Sequence, residues 1–475
     1  MKQEIKQQLQ DIFRKRFAEE ANKIEIFPAN GSYREYCRMT SNHHSAVGAW
    51  NADLRENEAF ISFSKHFKAQ GLPVPEIYGV NELGDCYLQE DLGTDTLYDF
   101  IAKERKQDEF PESIIHAYKK VLTFLPIMQT KAAQQLDFTK CYPRPAFDRQ
   151  SMMWDLNYFK YYFLKLAKIP FDEQLLEDDF ERLISFLLTT ETHYFLYRDF
   201  QSRNIMYNDE KVAFIDFQGG RKGALQYDLA SLLYDAKANI PTNVREELLE
   251  FYLDELEKLQ QVNRTDFKSF FAAYVLIRIM QAMGAYGFRG FYEKKEHFLK
   301  SIPFALDNLS YIINNFKMPI ELPQLSKVWK DLIESDVLRE MASEKPKLTV
   351  RISSFSYKKG LPNDPTSNGG GFIFDCRAIH NPGRYEEYKQ LTGRDLPVID
   401  FLESNSEMPQ FMSHVYALID QSVETYMKRG FDSLCVNFGC TGGQHRSVYA
   451  AEQLFKHLKN NYQVELVLNH REQNF

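Results

Sequence analysis

The 475-residue chain has no G-x4-G-K-[ST] loop, so a Walker-type cradle for nucleotide phosphates is excluded. Cysteine is sparse: the six residues at 37, 86, 141, 376, 435 and 440 fit neither a metal-ligand spacing nor a disulfide framework. The opening Met1-Lys2-Gln3-Glu4-Ile5-Lys6 mixes charges without an apolar signal core, and with the cysteine pattern this leads to the expectation of a reducing cytoplasm. Long apolar runs are missing too. The one stretch of membrane-spanning length, Phe270 to Phe288, is broken by Arg278 and Gln281 and reads as a buried helix, so no membrane partner is expected. A basic tail is lacking. Net charge is −8, and residues 347–475 hold 14 Lys+Arg against 14 Asp+Glu, which puts the whole acidic excess in residues 1–346. Nonspecific affinity for nucleic acid rests on neutralising phosphates, so DNA is not expected, and RNA would need a local patch of the fold. Neither an internal repeat nor a low-complexity segment occurs. What is present is 44% hydrophobic and 14% aromatic residues, enough to fill two cores.

The most informative line is Tyr197-Arg198-Asp199-Phe200-Gln201-Ser202-Arg203-Asn204-Ile205-Met206, followed by Phe214-Ile215-Asp216-Phe217. Phosphoryl transfer from a nucleotide needs one carboxylate to orient or deprotonate the attacking hydroxyl and two oxygen ligands for magnesium. Asp199 supplies the first. Asn204, five residues on, can turn back toward a metal, and Asp216, after the apolar strand Lys211 to Ile215, can hold its carboxylate over the phosphates. Any one of these alone would be a surface ion pair or a turn residue; the ordered set points to catalysis with ATP and Mg2+.

In two places the line departs from the protein-kinase form. Tyr197 stands where most such enzymes carry His, and Phe217-Gln218-Gly219 follows the second Asp where they carry Phe-Gly. The latter spelling resembles the aminoglycoside phosphotransferases, whose members phosphorylate small hydroxylated molecules. The run Gly223 to Leu233 continues the resemblance, which implies that Asp228 is a buried brace for the catalytic loop. No activation loop with Ala-Pro-Glu is found, which disfavours a protein substrate.

Upstream, Asn30-Gly31-Ser32-Tyr33-Arg34-Glu35-Tyr36-Cys37-Arg38 resembles the Gly-Ser-x-Arg-x-Tyr-x-Arg nucleotide loop of anomeric amino-sugar kinases. The resemblance implies that Gly31, Ser32 and Tyr33 bring backbone N–H groups, and Arg34 and Arg38 their side chains, to the phosphates. As a bare pattern a Gly-Ser turn is more often only a turn. Ser45 to Asn51 reads as the strand that in most kinases supplies a phosphate-binding Lys, yet it has none. Arg34 or Arg38 is the available substitute, and Glu56 or Glu58, on the first turns of the next helix, its partner; acid there is also common without such a role. Residues 71–79 and 87–93 would form the lobe connection, with adenine near Gln89, Glu90 and Leu92. The run Ile277 to Phe288, with Lys294, His297-Phe298-Leu299 and Ile302-Pro303, again is similar to the anomeric sugar kinases, so the resemblance covers roughly residues 20–315. Trp154 to Phe159 is either a wall of the acceptor site or a packed helix.

A second domain begins after a segment in which Pro319, Pro323 and Pro346 bracket a short helix. Its information concentrates in Val436 to Val448, an apolar strand, a glycine-bearing loop and a helix joined so that loop N–H groups, Arg446 and the helix N-terminus converge, a geometry that binds anions. Cys440 to Ser447 also satisfies Cys-x5-Arg-Ser, the arrangement of a thiolate phosphatase, but no Asp general acid can be assigned nearby, and Cys440 reads better as a small buried residue. Gly439-Cys440-Thr441-Gly442-Gly443-Gln444-His445-Arg446-Ser447-Val448, with the stretches Phe355 to Pro362, Phe374 to Arg377, Asn381-Pro382, Leu391 to Asp395 and Asn469 to Arg471, resembles the C-terminal domain of the RapZ family over residues 348–472. That resemblance implies a pocket for an amino-sugar phosphate at Thr441, Gly442, Gly443, His445, Arg446 and Ser447, with Asp375, Arg377 and Asn381 as its other wall, and brings RNA in as a partner. Gly383 and Gln444 depart from the family pattern.

The expectation is an α+β protein-kinase-like (aminoglycoside phosphotransferase) bilobal domain over 1–318, a linker over 319–347 and an α/β RapZ C-terminal-like domain over 348–475. The expected activity is ATP-dependent phosphorylation of a sugar or amino-sugar hydroxyl, the anomeric one included. The alternative is a nucleotide-binding adapter that senses glucosamine 6-phosphate and passes the signal to RNA or a protein partner; a phosphatase at Cys440 comes third.

Overall fold

Strands β1 (Lys23–Ile26), β2 (Glu35–Thr40), β3 (Ser45–Trp50), β4 (Ile77–Val80) and β5 (Cys86–Glu90) form an antiparallel sheet in the order β1-β2-β3-β5-β4. Side chains alternate across it. Cys37, Met39, Ala46, Cys86 and Leu88 cluster with Ile5, Leu9 and Phe13, the buried stripe of helix Gln3–Phe17. Ala49 and Tyr87 join the opposite core, where helix Leu54–Ala69 packs Phe60, Phe63 and Phe67. At position 48 only glycine fits without a shift, since a Cβ would lie 2.9 Å from Leu9 Cδ1. This computed structural model describes residues 1–28, 34–105, 110–316, 318–342, 348–362 and 371–473, and it divides into two units, Met1–Ala342 and Ser343–Phe475.

The rest of the first unit is mostly helical. Helix Arg264–Tyr286 forms its axis, and Arg149–Phe159, Leu225–Leu233 and Ile302–Asn315 pack on it. The helical stretch Arg264–Tyr292 is apolar and long enough to cross a membrane, but 78% of its most apolar window is buried inside the unit, as a core helix requires. Two short antiparallel ribbons carry the loops of interest: β6 (Tyr194–Leu196) with β9 (Arg221–Gly223), and β7 (Ile205–Asn208) with β8 (Lys211–Phe214).

Residues 319–342, read from the sequence as linker, fold with the first unit. Leu322, Leu325, Val328, Trp329, Leu332 and Leu338 are buried in its core, and the Leu325 N–H donates to the buried Asp179 carboxylate at 2.9 Å. Pro323 does not interrupt a helix here. It begins one, Pro323–Ile333, at a position whose N–H has no helical partner anyway.

In the second unit β10 (Thr349–Ser356), β11 (Gly371–Asp375), β12 (Ser433–Cys440) and β13 (Glu465–His470) make a wholly parallel sheet in the order β11-β12-β10-β13. Val350, Ile352, Leu434, Val436 and Phe438 pack against apolar residues of helices Leu396–Ser404, Met408–Arg429 and Arg446–Asn461. The carboxyl ends of β10, β11 and β12 gather at one end, where open parallel sheets bind ligands.

Candidate functional site

The catalytic line runs off β6 and is held from below. Asp228, buried on helix Leu225–Leu233, accepts the N–H groups of Tyr197 (2.8 Å) and Arg198 (3.0 Å) and the amide of Gln129 (3.2 Å). Burial pushes its carboxyl up to about 7 in spite of these donors. Arg198 has φ 86° and turns its guanidinium inward, donating to Asp155 Oδ1 and to the Tyr227 hydroxyl, both at 2.6 Å, while lying 4.8 Å over the Phe147 ring. The Tyr197 hydroxyl donates to the Ile215 carbonyl, which ties this loop to the next one. The loop then closes on itself, as Asn204 Nδ2 donates to the Asp199 carbonyl at 2.8 Å. That donation fixes the amide's orientation and leaves Asn204 Oδ1 as the atom able to take a metal.

Asp216 follows β8 with φ 68°, and its Oδ1 accepts from Gln218 Nε2 at 2.7 Å. Burial raises its carboxyl above the ordinary range and the neighbouring Asp199 adds to this, while Gln218 and Arg34 pull the other way. A half-buried carboxylate whose charge is opposed by a second one beside it is a setting that favours a cation. Among the described residues no three His, Cys, Asp or Glu side chains gather into a metal cage. Asn204 and Asp216 offer two oxygens, the number magnesium takes from a protein when phosphates and water complete its octahedron.

Arg34 and Arg38 go to different places. Buried Arg34 pairs with Glu56 (3.3 Å), donates to the Tyr36 hydroxyl (3.1 Å) and stands near enough to Asp216 to stabilise its charge. Glu56 is itself steadied by Asn51 Nδ2 (2.6 Å), whereas Glu58 pairs with Lys140 at the surface. Arg38 forms a two-pronged pair with Asp91 (2.7 and 2.9 Å) and donates to the Gly93 carbonyl (3.0 Å), so it belongs to the lobe connection. Gln89 is buried in β5 opposite Val47, and Leu92 is half-buried beyond it. The Glu90 carboxylate is taken by Lys68 (2.8 Å) and by the Glu76 N–H (3.1 Å), and the Glu90 N–H by the Glu76 carbonyl (2.9 Å). Gly31, Ser32 and Tyr33 lie outside the described residues. Tyr36 and Asn51, which orient these groups, were not singled out from the sequence, although Tyr36 sits inside the quoted loop pattern; Gln218 was quoted there only for its family spelling.

In the second unit the loop after β12 meets the chain after β11. Arg446 is 4% exposed, and its Nη1 donates to the carbonyls of Arg377 (3.0 Å) and Ile379 (2.7 Å), locking the two walls together. His445 Nε2 meets the Tyr388 carbonyl at 2.8 Å, and burial lowers its proton affinity. Asp375 and Arg377 pair with each other (2.6 Å) and Arg377 lies 4.0 Å over the Tyr357 ring. Asn381 caps a short turn by accepting the Gly383 N–H (3.2 Å), and Thr441 and Gly442 are exposed at the mouth. Gly443 has φ 67° and packs against Ser356 and the buried Glu472, where a side chain would collide with both. Burial would raise the Cys440 thiol, but Ser447 Oγ (3.1 Å) and the N–H groups of Ser447, Gln444 and Gly443 bring it below its ordinary value. Cys440 is nonetheless 3% exposed, and Arg446 is directed at backbone carbonyls, which does not suit a phosphatase nucleophile and its arginine. Glu472, beside the Asn469-His470-Arg471 stretch, is a further positioning residue that the sequence reading passed over.

Residues 48–262 match the phosphotransferase enzyme family, and residues 348–474 match the RapZ C-terminal domain. The chain is similar to a nucleotide-binding protein of Thermosipho melanesiensis, 35% identical over 168 residues that make up 34% of this chain and 58% of that protein. It is also similar to one of Albidiferax ferrireducens, 39% identical over 107 residues, 22% of this chain and 34% of that protein. It thus spans between about a third and three fifths of the length of these curated relatives. Among solved structures, an amicoumacin kinase in complex with AMP-PNP and Ca2+ is 12% identical with a TM-score of 0.46, covering 68% of this chain and 100% of that one. An ethanolamine kinase of Plasmodium vivax is 13% identical with a TM-score of 0.44, covering 61% and 82%.

Proposed function

We propose that residues 1–342 transfer the γ-phosphate of ATP to a hydroxyl of a sugar or amino sugar, and that the second unit binds an amino-sugar phosphate. The observation that carries the kinase reading is the closed loop of Asp199 and Asn204 with Asp216 of the next loop beside it and Arg34 paired to Glu56. Asp199 orients the acceptor hydroxyl, Asn204 Oδ1 and Asp216 hold Mg2+, and Arg34 takes the phosphate-facing place of the absent strand lysine. The bound metal would neutralise charge on the phosphates. Adenine then uses the backbone beyond Glu90, because the Glu90 N–H is engaged with Glu76.

For the second unit the supporting observation is Arg446, a buried cation with no carboxylate in ion-pair range among the described residues and a buried Nε without a partner. An anion at the mouth of the loop would balance it. The six cysteines are buried thiols, and the reading places the protein in a reducing cytoplasm.

The test is ATP consumption with magnesium across a panel of amino sugars and neutral sugars, with Asp199→Asn beside the parent chain. Sugar-dependent turnover that the variant loses is expected; ATP binding without turnover of any sugar would refute the kinase and favour the adapter. The adapter reading joins nucleotide binding by the first unit to ligand sensing by the second, and retention of RNA on a filter at moderate salt is its separate test.

A further inference from the structure

The second unit holds a chain of polar side chains that the pocket itself leaves unused. Ser354 Oγ lies 2.8 Å from His470 Nδ1, and His470 Nε2 lies 3.2 Å from Glu452 Oε1. Ser354 and His470 are register partners on β10 and β13, and Glu452 stands on helix Arg446–Asn461. The order Ser-His-Glu is that of a hydrolytic triad, but Ser354 is 0% exposed, so no acyl group reaches it and it is not a nucleophile. One tautomer satisfies every group: the Ser354 hydroxyl donates to Nδ1, and the Nε2–H donates to the carboxylate. The chain also has an outer end. Arg394 Nε reaches the same oxygen, Glu452 Oε1, at 3.0 Å.

Arg394 belongs to the turn on which the anion loop rests. The Gly393 N–H donates to the Gln444 carbonyl (2.9 Å), and Gln444 Nε2 donates back to the carbonyls of Lys389 (2.9 Å) and Leu391 (2.7 Å). Gly393 lies so close to the start of the helix that a Cβ there would stand 2.2 Å from the His445 carbonyl oxygen and 2.4 Å from the Tyr449 nitrogen. Through Arg394, Glu452 thus holds the turn that seats Gln444, His445 and Arg446.

The charged groups that face His470 are Glu452 from the helix and Arg394 from the turn, while β10 presents the neutral Ser354. Burial keeps His470 below its ordinary value of 6.5 against the pull of Glu452, and Arg394 adds to the lowering, so a proton arrives only at lower pH. When it does, a buried imidazolium needs the Glu452 carboxylate as its counter-charge, whereas the part-exposed Arg394 has water as an alternative. Nδ1 then becomes a donor as well, and Ser354 can no longer donate to it. We propose that Glu452 is a positioning residue for the anion loop, acting through Arg394, and that His470 makes this hold pH-dependent, so that affinity for an amino-sugar phosphate falls as His470 takes a proton. The inference rests on the amino-sugar-phosphate reading of the second unit and adds the regulation of that site.

The experiment titrates the full chain with glucosamine 6-phosphate by calorimetry over a series of pH values, in the parent, His470→Gln, Glu452→Gln, Arg394→Gln and Arg394→Lys. The ligand phosphate and His445 titrate in every chain, and residues 1–342 are the same in all, so differences between chains isolate the hold. At about pH 8, where His470 is neutral, Glu452→Gln and Arg394→Gln should each weaken binding about 2- to 5-fold, as loss of a part-exposed ion pair does, with partial recovery in Arg394→Lys. Toward about pH 5.5 the parent should lose a further factor of about 2 to 5 relative to His470→Gln and converge on Arg394→Gln. The Arg394 side chain is 48% exposed, so its replacement reads the hold without disturbing the core. Equal affinity in the parent, Glu452→Gln and Arg394→Gln overturns the positioning role, and parallel pH profiles in the parent and His470→Gln overturn the regulation. If no chain binds glucosamine 6-phosphate at any pH, the ligand reading falls and amide hydrogen exchange decides the positioning alone. Faster exchange at Gly393 in Arg394→Gln than in the parent supports it, and identical exchange overturns it.

Discussion

The loops at the two sites are braced by buried groups of opposite charge. In the first unit a carboxylate, Asp228, gathers backbone N–H groups at the start of the catalytic loop. In the second an arginine, Arg446, gathers the backbone carbonyls of Arg377 and Ile379. The brace sets what the loop has left to offer. With N–H groups drawn inward, the first loop presents the oxygens of Asp199 and Asn204, beside Asp216 of the next loop, and suits a metal. With carbonyls drawn inward around a guanidinium, the second suits an anion. The polarity of a site is decided here one layer beneath it.

The strongest way to break this comparison is at the presenting oxygens. Asp199→Asn should lower turnover about 10²- to 10⁴-fold while a nucleotide titration stays unchanged, as loss of a positioned base does. Next comes the brace of the second unit. Arg446→Met leaves two buried carbonyls without their donor and should weaken glucosamine 6-phosphate binding about 10- to 100-fold by calorimetry, charge-assisted bonds being among the stronger ones. Arg34→Ala should weaken ATP binding about tenfold or more because Glu56 is left without its cation. Arg38→Ala removes a pair that is partly open to water and should cost less than Arg34→Ala; the reverse order in a nucleotide titration would move the phosphate contact to Arg38. A further effect is in pH. Asp228 ordinarily titrates at 3.8 and is pushed up to about 7 in the fold, so the folded state binds the extra proton between those values. Its contribution is present below about 4 and is lost as pH rises toward 7, so stability falls across that window. Asp228→Asn should flatten this slope in denaturant titrations of the full chain; an unchanged slope would mean that the carboxylate is ionised throughout.

Much of this was legible in sequence because the chemistry is packed into short spans. Asp199 and Asn204 lie five residues apart in one loop, and Thr441 to Ser447 form one turn between strand and helix. Choices between near neighbours were not legible. Arg34 and Arg38 lie on the same face of an extended chain, and their partners, Glu56 and Asp91, come from other elements. The segment 319–342 was given to a linker although a short helix was read between its prolines; Leu322, Leu325, Val328, Trp329 and Leu332 recur at the three- and four-residue spacing of a buried helix face.

The role proposed for Arg34, a guanidinium in place of an amine, also bears on chemical labelling. Reagents that couple an amine-seeking electrophile to a nucleotide mark such enzymes by acylating the strand lysine. Between Ser45 and Trp50 this chain offers no amine to acylate, so the strand itself gives such a reagent nothing to mark.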